Sequence, residues 1–279
     1  MNWLTSWIPK IRSERSESVP DDLWHKCNKC EEMIFRSHMV DNMWVCTICD
    51  HHERMRAHHR LVSFFGSESN FKTEIPPRLQ DDPINFSDTV SYKSRLKKAR
   101  AKCDMDDCFE IGVGKLEGNS VVALAMDFAF IGGSMGRALG NAIVHAAEIS
   151  IRNKIPLVLF SSSGGARMQE GIFSLMQMAR TTIAVKKVKD AGIPYISVLC
   201  DPTTGGVQAS FAMLGTVTLA EPGALVGFAG KRVIQQTIGE ELPKDFQSSE
   251  FQFKNGFVDK IVHRSKIALE INRIINILK

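Results

Sequence analysis

The chain has 279 residues, 44% hydrophobic and 24% charged, which suits one large globular domain with a small appendage and excludes wholesale disorder. Its 35 basic and 31 acidic residues leave a formal charge of +4, too balanced to make nucleic acid or a membrane surface the main partner. Seven cysteines, an odd number, fit a reducing compartment better than a disulfide framework, and with neither a secretory leader nor a bilayer-length apolar run in the sequence the expected location is the cytoplasm.

Residues 1–22 form an N-terminal segment in which Trp3, Leu4, Trp7, Ile8 and Ile11 recur at helix-like spacing, interrupted by Pro9. Packing on the protein's own surface or on a partner is the expectation, with an amphipathic membrane anchor as the alternative. Residues 23–60 read as a zinc ribbon. Cys27-x2-Cys30 and Cys46-x2-Cys49, fifteen residues apart, let four thiolates converge on one ion. A closed shell of four thiolates leaves no position for water, so the Zn2+ is expected to organise structure, its binding energy of roughly 10–16 kcal/mol folding the segment. The stretch His51 to Arg60 reads as a solvated basic face, with extra metal ligands or a nucleic-acid contact as alternatives.

Residues 61–110 read as a linker and helical region: a polar, proline-bearing loop from Glu68 to Asp88, then a helix over Tyr92 to Lys102. Cys103 and Cys108 lack further metal-binding partners and read as unpaired, and Cys200 as a small buried hydrophobe.

From 111 to 279 the texture alternates β-like and helical runs, which predicts an α/β domain. Ile111–Glu117 and Val121–Phe128 form a hairpin around Gly118-Asn119-Ser120, and Leu139, Ala142, Ile143, Ala146 and Ile149 mark a helix. The strand Pro156–Phe160 ends at Ser163-Gly164-Gly165-Ala166-Arg167, before a helix carrying Ile172, Leu175, Met176, Ala179 and Ile183. The strand Pro194–Leu199 is followed by a turn, Asp201 to Gly206, and a small-residue helix over Val207 to Leu214. The final helix covers Ile267 to Leu278.

Both glycine pairs, Gly164-Gly165 and Gly205-Gly206, follow a strand and precede a helical run, where backbone N–H groups favour negative charge. They could cradle phosphate or stabilise an oxyanion that develops during reaction; serving tight turns alone is the plainer alternative. The G-x-x-x-x-G-K-[ST] loop is missing, Gly132 to Arg137 does not supply G-x-G-x-x-G, and Ser163 lacks the G-x-S-x-G elbow. Glu170 suits the start of a helix, and no carboxylate opens the run after Gly206. The residues therefore describe a site that stabilises charge with backbone and borrows its base from elsewhere.

The four cysteines are followed in order by Phe130-Ile131-Gly132-Gly133-Ser134-Met135-Gly136, Ser163-Gly164-Gly165-Ala166-Arg167-Met168-Gln169-Glu170, Pro194 to Leu199, Asp201-Pro202-Thr203-Thr204-Gly205-Gly206-Val207 and Ala220 to Gly230. From Trp24 to about His263 the chain closely resembles the β subunits of bacterial acetyl-CoA carboxylase carboxyltransferase. The resemblance implies a crotonase (ClpP-like) fold of repeated ββα units behind the ribbon, and transfer of a carboxyl group from carboxybiotin, on the biotin carboxyl carrier protein, to acetyl-CoA. A separate carboxyltransferase α subunit would complete an α2β2 assembly, with biotin carboxylase in the full complex. By the family's logic the amides of Gly205-Gly206 form an oxyanion hole and Gly164, Gly165 and Ala166 shape the adjoining pocket. Lys231 and Arg232, after Gly230, are candidates for the CoA phosphates, and Arg137 and Arg167 are open between ligand contact and ion pairing. The rival functions are a zinc-ribbon nucleic-acid-binding protein and a carboxyltransferase for another acyl-CoA.

Overall fold

The computed structural model describes residues 23–243 and 245–279. The N-terminal segment with Trp3 and Trp7 lies outside the described residues, as do the side chains of Lys231 and Arg232.

A short antiparallel pair, β1 (Trp24–Lys26) and β2 (Met33–Phe35), leads into helix α1 (Arg36–Asp41), and these enclose Cys27, Ile34, Met39 and Cys46 as a core of their own. The body follows: α2 (Ala57–Phe65), β3 (Phe71–Glu74), α3 (Tyr92–Cys103), β4 (Phe109–Leu116), β5 (Asn119–Met126), α4 (Arg137–Asn153), β6 (Leu157–Ser163), α5 (Ile172–Asp190), β7 (Tyr195–Thr204), α6 (Gly205–Gln208), β8 (Val217–Ala220), β9 (Val226–Gly227), α7 (Lys231–Ile238), α8 (Ser249–Lys254), β10 (Lys260–Ile261) and α9 (Ile267–Leu278). One sheet runs in the order β10-β8-β7-β6-β5-β4-β3, with β9 paired to the end of β7. It is antiparallel from β3 to β5 and parallel from β5 through β10.

Buried on both faces, the segments Val121–Met126 of β5, Leu157–Phe160 of β6 and Tyr195–Leu199 of β7 are largely apolar, as parallel strands between helical layers require. Leu124, Leu159 and Leu199 point to a layer that includes Leu96 of α3, Leu139 and Ile143 of α4, and Val185 and Val188 of α5. Ala123, Val158 and Val198 point to the opposite layer, with Leu61 and Phe64 of α2 and Ile267, Ile271 and Ile275 of α9. Each such leucine, isoleucine, valine or phenylalanine contributes roughly 1.5–3 kcal/mol on burial. The β4–β5 hairpin closes on Glu117 and Gly118, both at positive φ (46° and 88°), a two-residue turn tighter than the expected three-residue loop.

Three expectations are corrected. Asp201 to Thr204 is the end of β7 rather than a turn, because the strand leaves β8 there and pairs with β9 through Thr203 and Thr204. The small-residue helix over Val207–Leu214 is only α6 followed by a 3-10 turn at Phe211–Met213. There the Ser210 hydroxyl bonds the Gly206 carbonyl at 2.6 Å and competes with helix propagation. His51 to Arg60 is not a solvated face, since His52, Glu53, Met55, Ala57 and Arg60 are buried. Its second half starts α2, capped by Asp127, whose carboxylate accepts the Ala57 N–H. The region 61–110 contributes β3 and α3 to the body as well as connecting loop.

Candidate active site

The ribbon brings Cys27, Cys30, Cys46 and Cys49 together with all four sulphurs within 4.8 Å of one another. The Cys27–Cys49 and Cys30–Cys46 Sγ pairs are each 3.7 Å apart. Four thiolates bound tetrahedrally at about 2.3 Å stand about 3.8 Å apart, so the donor set fits a single ion. Backbone N–H groups of Lys29, Ile48 and Cys49 turn toward the sulphurs at 3.4–3.5 Å, which favours the charged thiolates.

A buried ionic junction fixes the ribbon to the body. Arg264, just before α9, donates to the carbonyls of Met43 (2.8 Å), Trp44 (3.1 Å) and Glu53 (2.9 Å). It also forks onto Glu221 with two contacts of 2.7 Å, and Arg60 of α2 binds the same carboxylate. Burial works against the Glu221 charge, but Arg60 and Arg264 override it and hold the carboxyl well below the usual range. His52 lies 3.9 Å from Glu221 and is 4% exposed; burial pushes its pKa down despite that neighbour.

The glycine pairs meet at the C-terminal ends of β6 and β7. Gly165 (φ +115°) and Gly205 (φ +60°) stand backbone to backbone: a methyl on Gly165 would lie 3.3 Å from Gly205 Cα, and one on Gly205 3.1 Å from Gly165 Cα. No other residue type fits both the conformation and the contact. A methyl on Gly206 would lie 3.6 Å from Ala166 Cβ, so positions 166 and 206 adjoin across the junction.

The backbone N–H groups of these five residues divide into engaged and uncommitted donors. Gly164 N–H is bound to Gly132 O (2.9 Å), Gly165 N–H to Ser163 Oγ (3.0 Å) and Gly205 N–H to Phe228 O (3.1 Å). The N–H groups of Ala166 and Gly206 are engaged by no carbonyl or side chain among the described residues. Two adjoining, uncommitted donors on a rigid junction are suited to oxygen that gains negative charge.

Sequence reasoning left Arg167 open; the structure makes it the anchor of this junction. It is 1% exposed, and its guanidinium forks onto Asp107 (2.7 and 2.6 Å) while also reaching Tyr92 Oη (3.1 Å) and Ser134 O (2.7 Å). Its backbone N–H binds Met135 O, so the segments 132–136 and 164–167 are stitched together. Glu170 is consumed as well, accepting from Tyr92 Oη (2.7 Å) and the Arg137 N–H (2.7 Å). Arg137 itself lies against the Phe173 ring. No local pattern marked Asp107 as the partner of Arg167, because they lie 60 residues apart. Cys103, Cys108 and Cys200 are buried and unpaired, as expected. A cavity of about 330 Å³ lies under the loop Glu74–Asp82 and borders this neighbourhood through Tyr92, Asp107, Arg137, Ala138 and Glu170.

The carboxyl transferase domain family matches residues 54–278. Among similar proteins, the acetyl-coenzyme A carboxylase carboxyl transferase subunit beta of Sinorhizobium fredii is 48% identical, the match covering 100% of this chain and 92% of the relative. The proteins of that name from Sinorhizobium medicae and Granulibacter bethesdensis are each 49% identical, with 92% and 91% of their lengths covered. Among solved structures, transcarboxylase 12S with methylmalonyl-coenzyme A and methylmalonic acid bound superposes with a TM-score of 0.63 at 24% identity, over 79% of this chain and 41% of that one. A Pseudomonas malonate decarboxylase hetero-tetramer in complex with malonate gives 0.61 at 23%, over 80% and 82%. These two likenesses establish the crotonase-like fold, and the identity sustained over the full length establishes more: this chain belongs to the acetyl-CoA carboxylase carboxyl transferase β-subunit family of acyl-CoA carboxyltransferases.

Proposed function

We propose that the chain supplies the acyl-CoA side of a split active site that moves a carboxyl group from carboxybiotin to acetyl-CoA, giving malonyl-CoA. The observation that carries this reading is the pair of uncommitted donors, Ala166 N–H and Gly206 N–H, on a junction whose nearby carboxylate Glu170 is already engaged. Loss of CO2 from carboxybiotin leaves a basic ureido nitrogen, which takes a proton from the acetyl methyl. The resulting enolate oxygen is stabilised by the junction while its carbon forms the new bond to CO2. Gly206 and Ala166 would donate directly, and Gly164, Gly165 and Gly205 would hold the turns that aim them. Lys231 and Arg232, at the start of α7, are proposed for the CoA phosphates.

The partners in this reading are a carboxyltransferase α subunit in an α2β2 assembly, the biotin carboxyl carrier protein and biotin carboxylase, in the cytoplasm. No helix among the described residues is long and apolar enough to cross a membrane. The ion proposed for the ribbon is Zn2+, supported by four thiolate donors at tetrahedral spacing. It would hold the ribbon's fold, with no step of the transfer passing through it. Cys46→Ala should lower metal content from one zinc per chain to near zero, read by atomic absorption. A nucleic-acid role loses support because Arg56 and Arg60 of the basic stretch are spent on Asp127 and Glu221.

The test is carboxyl transfer from malonyl-CoA to biocytin, with the purified chain alone and then mixed with the α subunit. Activity confined to the mixture is expected; silence in both, with fold and metal intact, would overturn the reading.

A further inference from the structure

We infer that Arg54 holds an anionic oxygen group of the acyl-CoA substrate at the rim of the glycine junction, an assignment that rests on the carboxyl-transfer reading. Arg54 leaves the ribbon directly after Glu53, whose carbonyl is pinned by Arg264. Its guanidinium carbon lies 4.0 Å from the centre of the Phe128 ring, and its Nε is 3.4 Å from Asp201 Oδ2. The side chain is 53% exposed, and both terminal nitrogens are without a partner among the described residues.

Both contacts belong to segments that build the junction. A methyl on Gly132 would lie 4.0 Å from Phe128 Cζ, and Gly132 O is the acceptor that holds Gly164 N–H. Asp201 lies on β7, three residues before Thr204, where its Oδ1 accepts the Leu225 N–H and its carbonyl accepts the Ser162 hydroxyl. Arg54 therefore bridges the rim between the 128–132 loop and β7.

The neighbouring arginines are committed: Arg56 to Asp127, Arg60 and Arg264 to Glu221, and Arg167 to Asp107. Arg54 alone of this group keeps its terminal nitrogens free while its guanidinium rests over a ring. A guanidinium held this way presents two parallel N–H donors to solvent, the geometry that carboxylate and phosphate accept bidentately. A malonyl-CoA offers both: phosphates at the nucleotide end and a carboxylate at the reacting end.

The experiment compares wild type with Arg54→Met, which keeps the stem on Phe128 and removes the fork, and Arg54→Lys, which keeps only the charge. Each is assembled with the α subunit, and binding is read by calorimetric titration alongside turnover. The ligands are malonyl-CoA and malonyl-pantetheine, which carries no phosphate. Arg54→Met should weaken malonyl-CoA binding roughly ten- to a hundredfold, and Arg54→Lys should restore part of it. An effect on malonyl-CoA alone assigns the group to phosphate, and an equal effect on both ligands assigns it to the carboxylate. Binding of both ligands within twofold of wild type overturns the inference. A wild-type complex that binds malonyl-CoA through Arg54 yet transfers nothing would overturn the transfer reading and leave the anion assignment standing.

Discussion

Two residues carry the sharpest expectations. Valine at Gly206 would set its Cβ 3.1 Å from Met178 Sδ and crowd Ala166, while the flexible methionine leaves the fold room to adjust. Displacing that donor should lower kcat by roughly 10²–10³ without preventing assembly, and near-normal turnover would remove Gly206 from the chemistry. Glu221→Gln leaves Arg60 and Arg264 buried around a neutral amide. Breaking a buried ion pair from one side typically costs about 3–5 kcal/mol, so the urea midpoint should fall markedly; an unchanged midpoint would mean the junction is not a stabilising contact. The metal ligands were legible in the sequence because two knuckles are short local patterns. The glycine pairs were legible as turns, but which amides are uncommitted was not: Gly132 O and Phe228 O, which occupy Gly164 and Gly205, are contributed by distant segments.

At the scale of elements, strands and long helices followed from apolar periodicity, and two of the misreadings fell where tertiary pairing overrode local pattern. Thr203 and Thr204 look like a turn until β9 arrives to pair with them. The basic stretch looks solvated until Glu221 and Asp127 arrive to bind Arg60 and Arg56. His52 makes this junction sensitive to pH. Burial lowers its pKa from the ordinary 6.5, so the folded state favours the neutral ring. That contribution is full above about pH 6.5 and is lost as pH falls through the lower folded value. Urea midpoints should therefore decline from pH 7 to 5, and His52→Phe should flatten the decline; an identical profile in the variant would clear His52 of the role.

For the whole molecule, α5 buries one side against the body yet leaves Ile172, Leu175, Met176 and Ile183 exposed on the other. The apolar residues that marked this helix in the sequence thus lie on its exposed side, while Ser174, Gln177 and Thr181 face the body, as suits a helix that meets a second body. The proposed α subunit would cover this surface. Leu175→Asp should weaken association at least tenfold in analytical ultracentrifugation while the isolated chain keeps its thermal midpoint; unchanged association would place the partner elsewhere. The fold class was legible because the chain repeats strand and helix in order, whereas a surface for the proposed partner leaves no such local pattern.

The clamp on the ribbon also has a consequence for synthesis on the ribosome. The cysteines precede the body in the chain, and their core of Cys27, Ile34, Met39 and Cys46 is local, so the ribbon is able to take a metal before the body is made. Its berth is finished only when Arg264, more than two hundred residues after Cys49, has been made. Until then a nascent chain carries a folded but undocked finger, and a chain released before residue 264 keeps it that way, with Glu221 held by Arg60 alone and the carbonyls of Met43, Trp44 and Glu53 without their Arg264 donor.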